Sequence, residues 1–203
     1  MAKMHFKYAC MNSGKTIDLI RTAYNYEENG FKVLVIKPAI DTKSGNKISC
    51  RIGLEREVDV LLYSNDSVYE KLNGKLNDVN CIFVDEAQFL TRNQVDEFFI
   101  ISKAMDIPVI CYGLRTDFMM ESFEGSRRLL EVCDCLEELQ TLCSCGNIAR
   151  YNARMVNGEY VSCGDQVVID NGSVKYVPLC GDCFLEKVKK IEFNDVRRKL
   201  TDV

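Results

Sequence analysis

A Ser-Gly-Lys-Thr run at residues 13–16 is the first stretch whose residue types could do chemistry. It follows a short apolar run at residues 6–9, and an apolar helical pattern follows at residues 17–28. A strand, a tight loop and a helix in this order bind phosphate, because loop amides and the positive end of the helix face the anion. Lys15 can then reach the β- and γ-phosphates of a nucleotide, and the Thr16 hydroxyl can bind Mg²⁺.

This loop departs from the usual pattern G-x-x-x-x-G-K-[ST] at one position, where Ala9 replaces the first Gly. Alanine can serve there if its φ angle is negative. A Gly-Lys-Thr run by itself is also compatible with an ordinary surface turn. The assignment therefore depends on a second motif.

The second motif lies at residues 81–86, where four mostly apolar residues precede Asp85 and Glu86. An acid at the carboxyl end of a buried strand can hold Mg²⁺ directly or through water. Asp85 alone could be a helix cap or a turn acid. An apolar strand that ends in Asp-Glu, about 70 residues after a Gly-Lys-Thr loop, instead indicates a nucleotide site.

Five of the eleven cysteines lie between residues 143 and 183, in two close pairs with Cys163 between them. The pairs Cys143/Cys145 and Cys180/Cys183 predict a structural zinc site with four thiolate ligands. Four unliganded core or surface thiols are the alternative. The remaining cysteines are interpreted as small buried hydrophobic residues, at positions 10, 50, 81, 111, 133 and 135.

Hydrophobic periodicity places these motifs on alternating strands and helices, which predicts an α/β fold. We expect a phosphate-loop parallel sheet flanked by helices in residues 1–140, with ligands at the carboxyl ends of the strands. Residues 141–203 are assigned to a small zinc-binding lasso domain with a hairpin and a C-terminal helix. Strands are predicted at residues 6–9, 32–37, 58–63, 81–84, 107–112 and 139–142, and helices at residues 17–28, 67–72, 91–105 and 123–136.

Four further local predictions follow from capping, turn, amphipathic and charge patterns. Thr91 and Gln94 predict a capping box. Residues 160–169 and 174–177 predict a hairpin around the Asp170-Asn-Gly-Ser173 turn, and residues 184–200 predict one terminal helix. Residues 39–57, rich in charge and turn formers, are interpreted as a long excursion near the active face.

The amino-acid composition and the net charge argue against several classes of function. The 203 residues are 47% hydrophobic and 28% charged, which is typical of a globular protein. A net charge of −4 argues against broad electrostatic binding to nucleic acid or to anionic membranes. No apolar run approaches the ~18 residues of a membrane span, and the N-terminus has no apolar signal core. We therefore expect a cytoplasmic protein, and the odd cysteine count argues against a disulfide framework.

Together these residues resemble the type II thymidine kinases, a family of cytosolic enzymes of many bacteria and of animals. The resemblance covers nearly the whole chain and is carried by residues 11–16, 85–89, 112–118 and 123–126, by residues 166–169 with Tyr176, and by the two cysteine pairs. Members transfer the γ-phosphate of ATP to the 5′-hydroxyl of thymidine or deoxyuridine. The resemblance thus implies synthesis of dTMP in DNA precursor salvage.

The resemblance also implies site residues. Glu86 would be the general base. The nucleotide would be held by Ala9, Cys10, Met11, Asn12, Ser13, Gly14, Lys15, Thr16, Asp85, Glu86, Ala87 and Gln88, with Thr16 and Asp85 on Mg²⁺. Thymidine would be bound by Phe89, Leu114, Phe118, Phe123, Tyr176 and the lid, residues 166–170 (Gln166, Val167, Val168, Ile169 and Asp170). Zinc would be bound by Cys143, Cys145, Cys180 and Cys183.

Other implications concern residues after the second strand and partners. Asp41 resembles the family's acid in that segment, and Lys43 stands where many members have Arg. Family members are commonly tetrameric and inhibited by their end-product triphosphate. A homotetramer and feedback inhibition by thymidine triphosphate are therefore implied.

Two other classes of function stay open from the residues alone. Asp85-Glu-Ala-Gln88 is similar to helicase Asp-Glu boxes, in which Glu activates water, although 203 residues are too few for two motor domains. A zinc-ribbon binding module with a regulatory nucleotide site is the third hypothesis. Without the resemblance, Phe118 and Tyr176 would be interpreted as ordinary core residues.

Overall fold

The structure is a computed structural model that describes residues 1–39, 45–50, 52–168 and 173–201. The chain forms two compact units. The first comprises Met1–Ala9, Gly14–Arg115 and Ser122–Leu139, and the second comprises Cys10–Ser13, Thr116–Glu121 and Gln140–Val203. The division into two functional domains near residue 140 stays a prediction. Asp41 and Lys43 lie outside the described residues.

The first unit alternates strands and helices. In chain order it contains β1 (Met4–Ala9), α1 (Lys15–Glu28), β2 (Lys32–Pro38), β3 (Lys47–Ser49), β4 (Glu55–Glu57), β5 (Val60–Leu62), α2 (Val68–Leu72), β6 (Val79–Val84), a 3-10 turn (Ala87–Phe89), α3 (Arg92–Ala104), β7 (Val109–Leu114), α4 (Glu124–Val132) and β8 (Cys135–Glu138). Six strands form a parallel sheet in the order β5-β2-β6-β7-β1-β8. The predicted α/β fold is confirmed.

The sheet is buried on both faces, as β2 illustrates. Val35 packs with Leu19 and Ala23 of α1 in one apolar cluster, whereas Ile36 packs with Phe98 of α3 in another. Successive strand residues point to opposite faces, so a strand covered on both sides needs a continuous apolar run. The uninterrupted run Val33-Leu-Val-Ile36 meets this requirement.

The first residues of α3 form the predicted capping box. The Thr91 hydroxyl accepts a hydrogen bond from the Gln94 amide at 3.3 Å, and the Gln94 side chain accepts one from the Thr91 amide at 3.1 Å. Two amides that have no intrahelical partner are thereby satisfied. Within residues 39–57, the predicted excursion contains an antiparallel hairpin of β3 and β4.

The prediction for residues 123–136 was wrong at its C-terminal end. The helix ends at Val132, and Cys135–Glu138 instead forms β8, which pairs in parallel with β1 at the sheet edge. The Asp134 carboxylate accepts a hydrogen bond from the Met4 amide at 2.7 Å, and the Asp134 amide donates to the Met4 carbonyl at 2.9 Å. These contacts between distant parts of the chain bring residues 135–138 to the free edge of β1.

The second unit is built around a three-stranded antiparallel sheet. Its elements are β9 (Thr141–Leu142), β10 (Ile148–Ala149), β11 (Tyr151–Val156), β12 (Glu159–Val161), β13 (Val174–Leu179), α5 (Gly181–Lys187) and α6 (Phe193–Thr201). The predicted strand at residues 139–142 is reduced to β9, which pairs only with β10 and lies outside the parallel sheet. The predicted single tail helix is two helices, with Lys190 at φ 55° between them.

The predicted hairpin of residues 160–169 with 174–177 was also wrong. The central strand is β11, which pairs with β12 on one side and β13 on the other. The hairpin turn is Asn157-Gly158, where both residues have positive φ angles of 51° and 87°. Asn-Gly is the strongest short hairpin signal, because both positions of this turn require positive φ. Residues 169–172 lie outside the described residues.

Candidate active site

The phosphate loop connects β1 directly to α1. Ala9 ends β1 and has no positive φ angle, so the alanine fits where the usual pattern has glycine. The two loop residues with positive φ are Asn12 at 63° and Gly14 at 84°. Gly14 precedes α1, and a side chain there would be strained. The helix begins at Lys15, as the phosphate-loop interpretation requires.

Asp85 follows the last residue of β6 and is 3% exposed. Its Oδ2 accepts a hydrogen bond from the Thr16 hydroxyl at 3.3 Å. Its Oδ1 is buried with no hydrogen-bond partner among the described residues. A buried carboxylate oxygen without a partner is costly, and a divalent cation would compensate its charge. The donor set of Asp85 and Thr16 therefore fits Mg²⁺, whose usual ligands are oxygens.

The charge of Asp85 is unfavourable in the ligand-free protein. Burial, and then the neighbouring Glu86 carboxylate, raise the pKa of Asp85 to about 7, and the Lys15 ammonium acts in the opposite direction. Both raising effects disfavour the ionised form. A cation at this position would favour the ionised form again, which agrees with a metal-binding role for the unpaired oxygen.

Glu86 adopts a backbone conformation that is uncommon for a residue with a side chain. Its φ is 50° and its ψ is 38°, and the 3-10 turn begins directly after it. The Gln88 side chain donates to the Glu86 carboxylate and accepts a hydrogen bond from the Leu114 amide at 3.0 Å. Gln88 thus orients the Glu86 carboxylate relative to the end of β7. Unusual backbone geometry of this kind is concentrated at functional sites.

The 3-10 turn after Glu86 lies directly against α4. A Cβ atom on Gly125 would lie 2.6 Å from the Ala87 carbonyl oxygen and 2.7 Å from that of Leu90. These are backbone atoms, so they cannot rotate away. Glycine is therefore required at this helix position to let the turn approach.

We expect Gly125→Ala to lower the free energy of unfolding by roughly 1–3 kcal/mol, because overpacking forces a backbone shift. In an unobstructed helix the same change would stabilise by about 0.5–1 kcal/mol. Denaturant unfolding measures the difference. Gly181→Ala is the matched control, since a Cβ there meets only a Tyr151 ring carbon at 3.6 Å. A Gly125→Ala protein as stable as wild type would show that the turn does not need this contact.

The predicted thymidine residues fall into two groups. Leu114 and Phe123 are buried in the first unit, and the Phe123 and Phe89 rings meet edge to face with centroids 5.7 Å apart. Phe118, Gln166 and Tyr176 belong to the second unit, where they share contacts with Arg154. Val168 is half-buried and Val167 is 47% exposed. Ile169 and Asp170 lie outside the described residues.

Sequence reasoning missed two buried polar residues of β11. The Asn152 side chain accepts a hydrogen bond from the Met11 amide at 2.8 Å and donates to the Thr116 carbonyl at 3.0 Å. Asn152 and Arg154 are each 3% exposed. They are two residues apart, so they lie on the same face of the strand. Two polar residues at alternate positions of an otherwise apolar strand were the available signal.

The four predicted zinc ligands are gathered in one place. The sulfur atoms of Cys143, Cys145, Cys180 and Cys183 all lie within 4.8 Å of one another. Tetrahedral thiolates around zinc are separated by about 3.8 Å, as Zn–S bonds of about 2.3 Å require. Cys163 is exposed and lies outside this group.

Hydrogen bonds within the cluster favour a thiolate at Cys143 and the protonated thiol at Cys183, where bonds to Cys145 and Cys180 raise the pKa to about 12. Burial disfavours ionisation of Cys143, but backbone hydrogen bonds from residues 145 and 180 outweigh it and lower its pKa to about 6. Metal ligation requires the ionised thiol. Four gathered sulfurs, one of which ionises easily, fit a closed structural zinc site.

We expect about one zinc ion per chain, and we expect Cys180→Ser with Cys183→Ser to abolish its binding. Metal analysis of protein purified without chelators measures this. Proteolysis between residues 150 and 176 should accelerate in the double variant, because the metal restrains a long segment. Cys163→Ser is the matched control and should keep its zinc. Zinc-free wild-type protein would contradict the site.

The strand, phosphate loop and helix, with a buried acid at the end of another parallel strand, place this chain among the phosphate-loop α/β proteins. The thymidine kinase family matches residues 2–184. The chain is 43% identical to the thymidine kinase of Enterobacteria phage T4 over 195 residues, covering 94% of this chain and 100% of that protein. It is 40% identical to the thymidine kinase of Francisella tularensis subsp. holarctica over 188 residues, covering 89% and 95%. It is 41% identical to that of Rhodopirellula baltica over 192 residues, covering 93% and 90%.

The chain belongs to the thymidine kinase family. It is a kinase that transfers phosphate to thymidine, as the resemblance predicted. Of the three functions that the residues left open, this assignment selects the kinase. No helix within the described parts of the chain is both long enough and apolar enough to cross a membrane.

Proposed function

We propose that this enzyme transfers the γ-phosphate of ATP, bound with Mg²⁺, to the 5′-hydroxyl of thymidine or deoxyuridine. The observation that carries the proposal is the pair of acids at the end of β6. Asp85 is hydrogen-bonded to Thr16 and has one buried unpaired oxygen, and Glu86 follows it with its carboxylate oriented by Gln88. Asp85 is suited to bind Mg²⁺, and Glu86 is available to the 5′-hydroxyl that accepts the phosphate.

Phosphoryl transfer depends mainly on alignment and on charge stabilisation. Mg²⁺ supplies charge stabilisation when bound, and Thr16 and Asp85 would hold it. Lys15 and the amides of residues 9–16 bind and orient the triphosphate at the start of α1. The 3-10 turn that begins at Ala87, with Gln88, completes the nucleotide-binding residues. These assignments are supported by the orphaned oxygen of Asp85 and by the loop geometry.

Glu86 is the proposed general base for the 5′-hydroxyl. A sugar hydroxyl does not ionise at neutral pH, so a carboxylate can help by accepting its proton as the bond to phosphorus forms. The carboxylate is only partly buried, unlike that of Asp85. Glu86 directly follows the proposed metal ligand Asp85, which supports a role for Glu86 near the acceptor hydroxyl.

As the resemblance implies, the residues proposed to bind thymidine are Phe89, Leu114, Phe118, Phe123, Tyr176 and those of the lid. Aromatic and aliphatic side chains suit a flat, uncharged pyrimidine. Backbone groups of the lid can offer both a donor and an acceptor to the base edge. A lid over the site also excludes water, which limits hydrolysis of ATP.

The family resemblance further supports a homotetramer and feedback inhibition by thymidine triphosphate. A cytoplasmic location is supported by the cysteine chemistry, since the eleven cysteines form no disulfide within the described residues and four of them are gathered where they could hold a metal. Reduced thiols of this kind are typical of a reducing compartment.

One assay tests the proposal. The protein is incubated with γ-labelled ATP and Mg²⁺, either with thymidine or with single-stranded DNA. We expect label in dTMP with thymidine and no stimulation of ATP loss by DNA. DNA-stimulated ATP loss without labelled dTMP would contradict the proposal, and so would the absence of both.

A further inference from the structure

Arg154 is a buried cation in β11, and its contacts with other described residues are unusual for a buried charge. It lies in β11 with 3% exposure, and among the described residues no carboxylate lies within ion-pair distance of it. A buried charge is costly unless other groups compensate it. The groups that surround Arg154 therefore indicate what it is used for.

Its partners come from three separate segments of the second unit. The Arg154 Nε donates to the Tyr176 hydroxyl of β13 at 2.9 Å, and one terminal nitrogen donates to the Gln166 carbonyl at 3.1 Å. The guanidinium carbon lies 3.6 Å from the centroid of the Phe118 ring. Arg154 thus contacts one lid residue, Gln166, and the two aromatic residues of the second unit that are proposed to bind thymidine, Phe118 and Tyr176.

Besides its contact with Arg154, Gln166 of the lid makes a second hydrogen bond, to Asp117. The Gln166 side chain donates to the Asp117 carboxylate at 3.0 Å. The other Asp117 oxygen accepts hydrogen bonds from the Met119 amide at 2.8 Å and the Glu121 amide at 3.0 Å. Gln166 is therefore held through its side chain by residues 116–121, and through its backbone carbonyl by β11.

We propose that Arg154 is a positioning residue. It holds the described part of the lid (residues 166–168) against the Phe118 loop (residues 116–121), in the conformation that binds thymidine. The inference rests on the proposed thymidine pocket. A guanidinium suits this role because it is planar, so it stacks on Phe118 while donating in two fixed directions. A lysine keeps the charge but can supply neither the stack nor the two directed hydrogen bonds.

The test compares Arg154→Lys with wild type in steady-state kinetics. Losing hydrogen bonds from a charged group typically weakens binding by about tenfold or more. We expect the KM for thymidine to rise at least about tenfold, with the KM for ATP changed less than about twofold. Arg150→Lys is the matched control, because Arg150 is exposed and directly precedes β11. Its kinetic constants should equal those of wild type.

A second measurement needs no turnover. Hydrogen–deuterium exchange of the ligand-free protein should be at least about fivefold faster at residues 166–168 in Arg154→Lys, with β6 and β7 unchanged. Tyr176→Phe removes the hydroxyl that accepts from Arg154 and should accelerate the same amides to a smaller extent. This second variant keeps the test valid if Arg154→Lys fails to fold.

Three results would overturn the inference. A thymidine KM within twofold of wild type would do so, as would unchanged exchange at residues 166–168. Equal increases in both KM values, together with a large loss of melting temperature, would show a purely structural role. Wild-type protein that fails to phosphorylate thymidine would contradict the proposed function instead, and the exchange measurement would still test whether Arg154 holds the lid.

Discussion

Lys15→Ala should reduce thymidine kinase turnover by at least about 10³-fold while leaving the protein folded. A cationic group that stabilises charge on a transferring phosphoryl group is typically worth 10³–10⁵-fold in analogous enzymes. Lys15 is the first residue of α1 and directly follows Gly14, whose backbone has the left-handed conformation. From this position its ammonium can contact the β- and γ-phosphates. The alanine is a strong helix former, so α1 should be retained.

Turnover, far-UV circular dichroism and melting temperature are measured on the same preparation. Lys15→Met serves as a second variant, since Lys15 is 8% exposed and methionine keeps most of the buried stem. Lys32→Ala, at the exposed start of β2, is the control and should retain full activity. Activity of Lys15→Ala within tenfold of wild type would refute the phosphate-loop assignment.

Glu86→Gln is expected to lower turnover by roughly 10²–10⁴-fold, which is the usual contribution of a general base. Glutamine keeps the size and one oxygen that the Gln88 side chain can still donate to. It cannot accept the proton of the 5′-hydroxyl. Affinities for ATP and thymidine should therefore change little, and the loss should appear in kcat.

Calorimetric binding of both ligands and the melting temperature distinguish the possible roles of Glu86. If Glu86 were a metal ligand, the affinity for Mg²⁺–ATP would fall together with turnover. If it only stabilised the 3-10 turn that begins at Ala87, the melting temperature would fall. A loss below tenfold with normal binding would remove Glu86 as the base and leave the kinase assignment standing. Glu70→Gln, on the exposed surface of α2, is the control.

The phosphate loop and the buried acid could be predicted from the sequence because each is formed by residues that are adjacent in the chain. Gly14, Lys15 and Thr16 stand at the start of a helix, and Asp85 stands at the end of an apolar run, so their places follow from local structure alone. The cysteine pairs were readable for a related reason, since a metal site imposes a ligand type and a spacing. For Ala9, the sequence could not give the φ angle, and the structure establishes that this angle is not positive.

Tertiary contacts decided what no local pattern encodes. Residues 135–138 became β8 because Asp134 pairs with Met4, which lies 130 positions earlier in the chain. The Asn157-Gly158 turn was a local signal present in the sequence, but the pairing of β11 with β13 on its other side displaced the predicted hairpin, because pairing depends on which strand is available and in which register.

By itself, the sequence determined the α/β class, and it indicated the phosphate loop, the acid pair and the four cysteines that could hold a metal, since each depends on residue type and short spacing. Only the tertiary structure decided that the Gln88 side chain connects Glu86 to Leu114, that Gly125 must lack a side chain, and that Arg154 lies on Phe118. In each case the partners are distant in sequence or on separate elements. The physical reason is that burial and hydrogen bonding become specific only when such segments pack together.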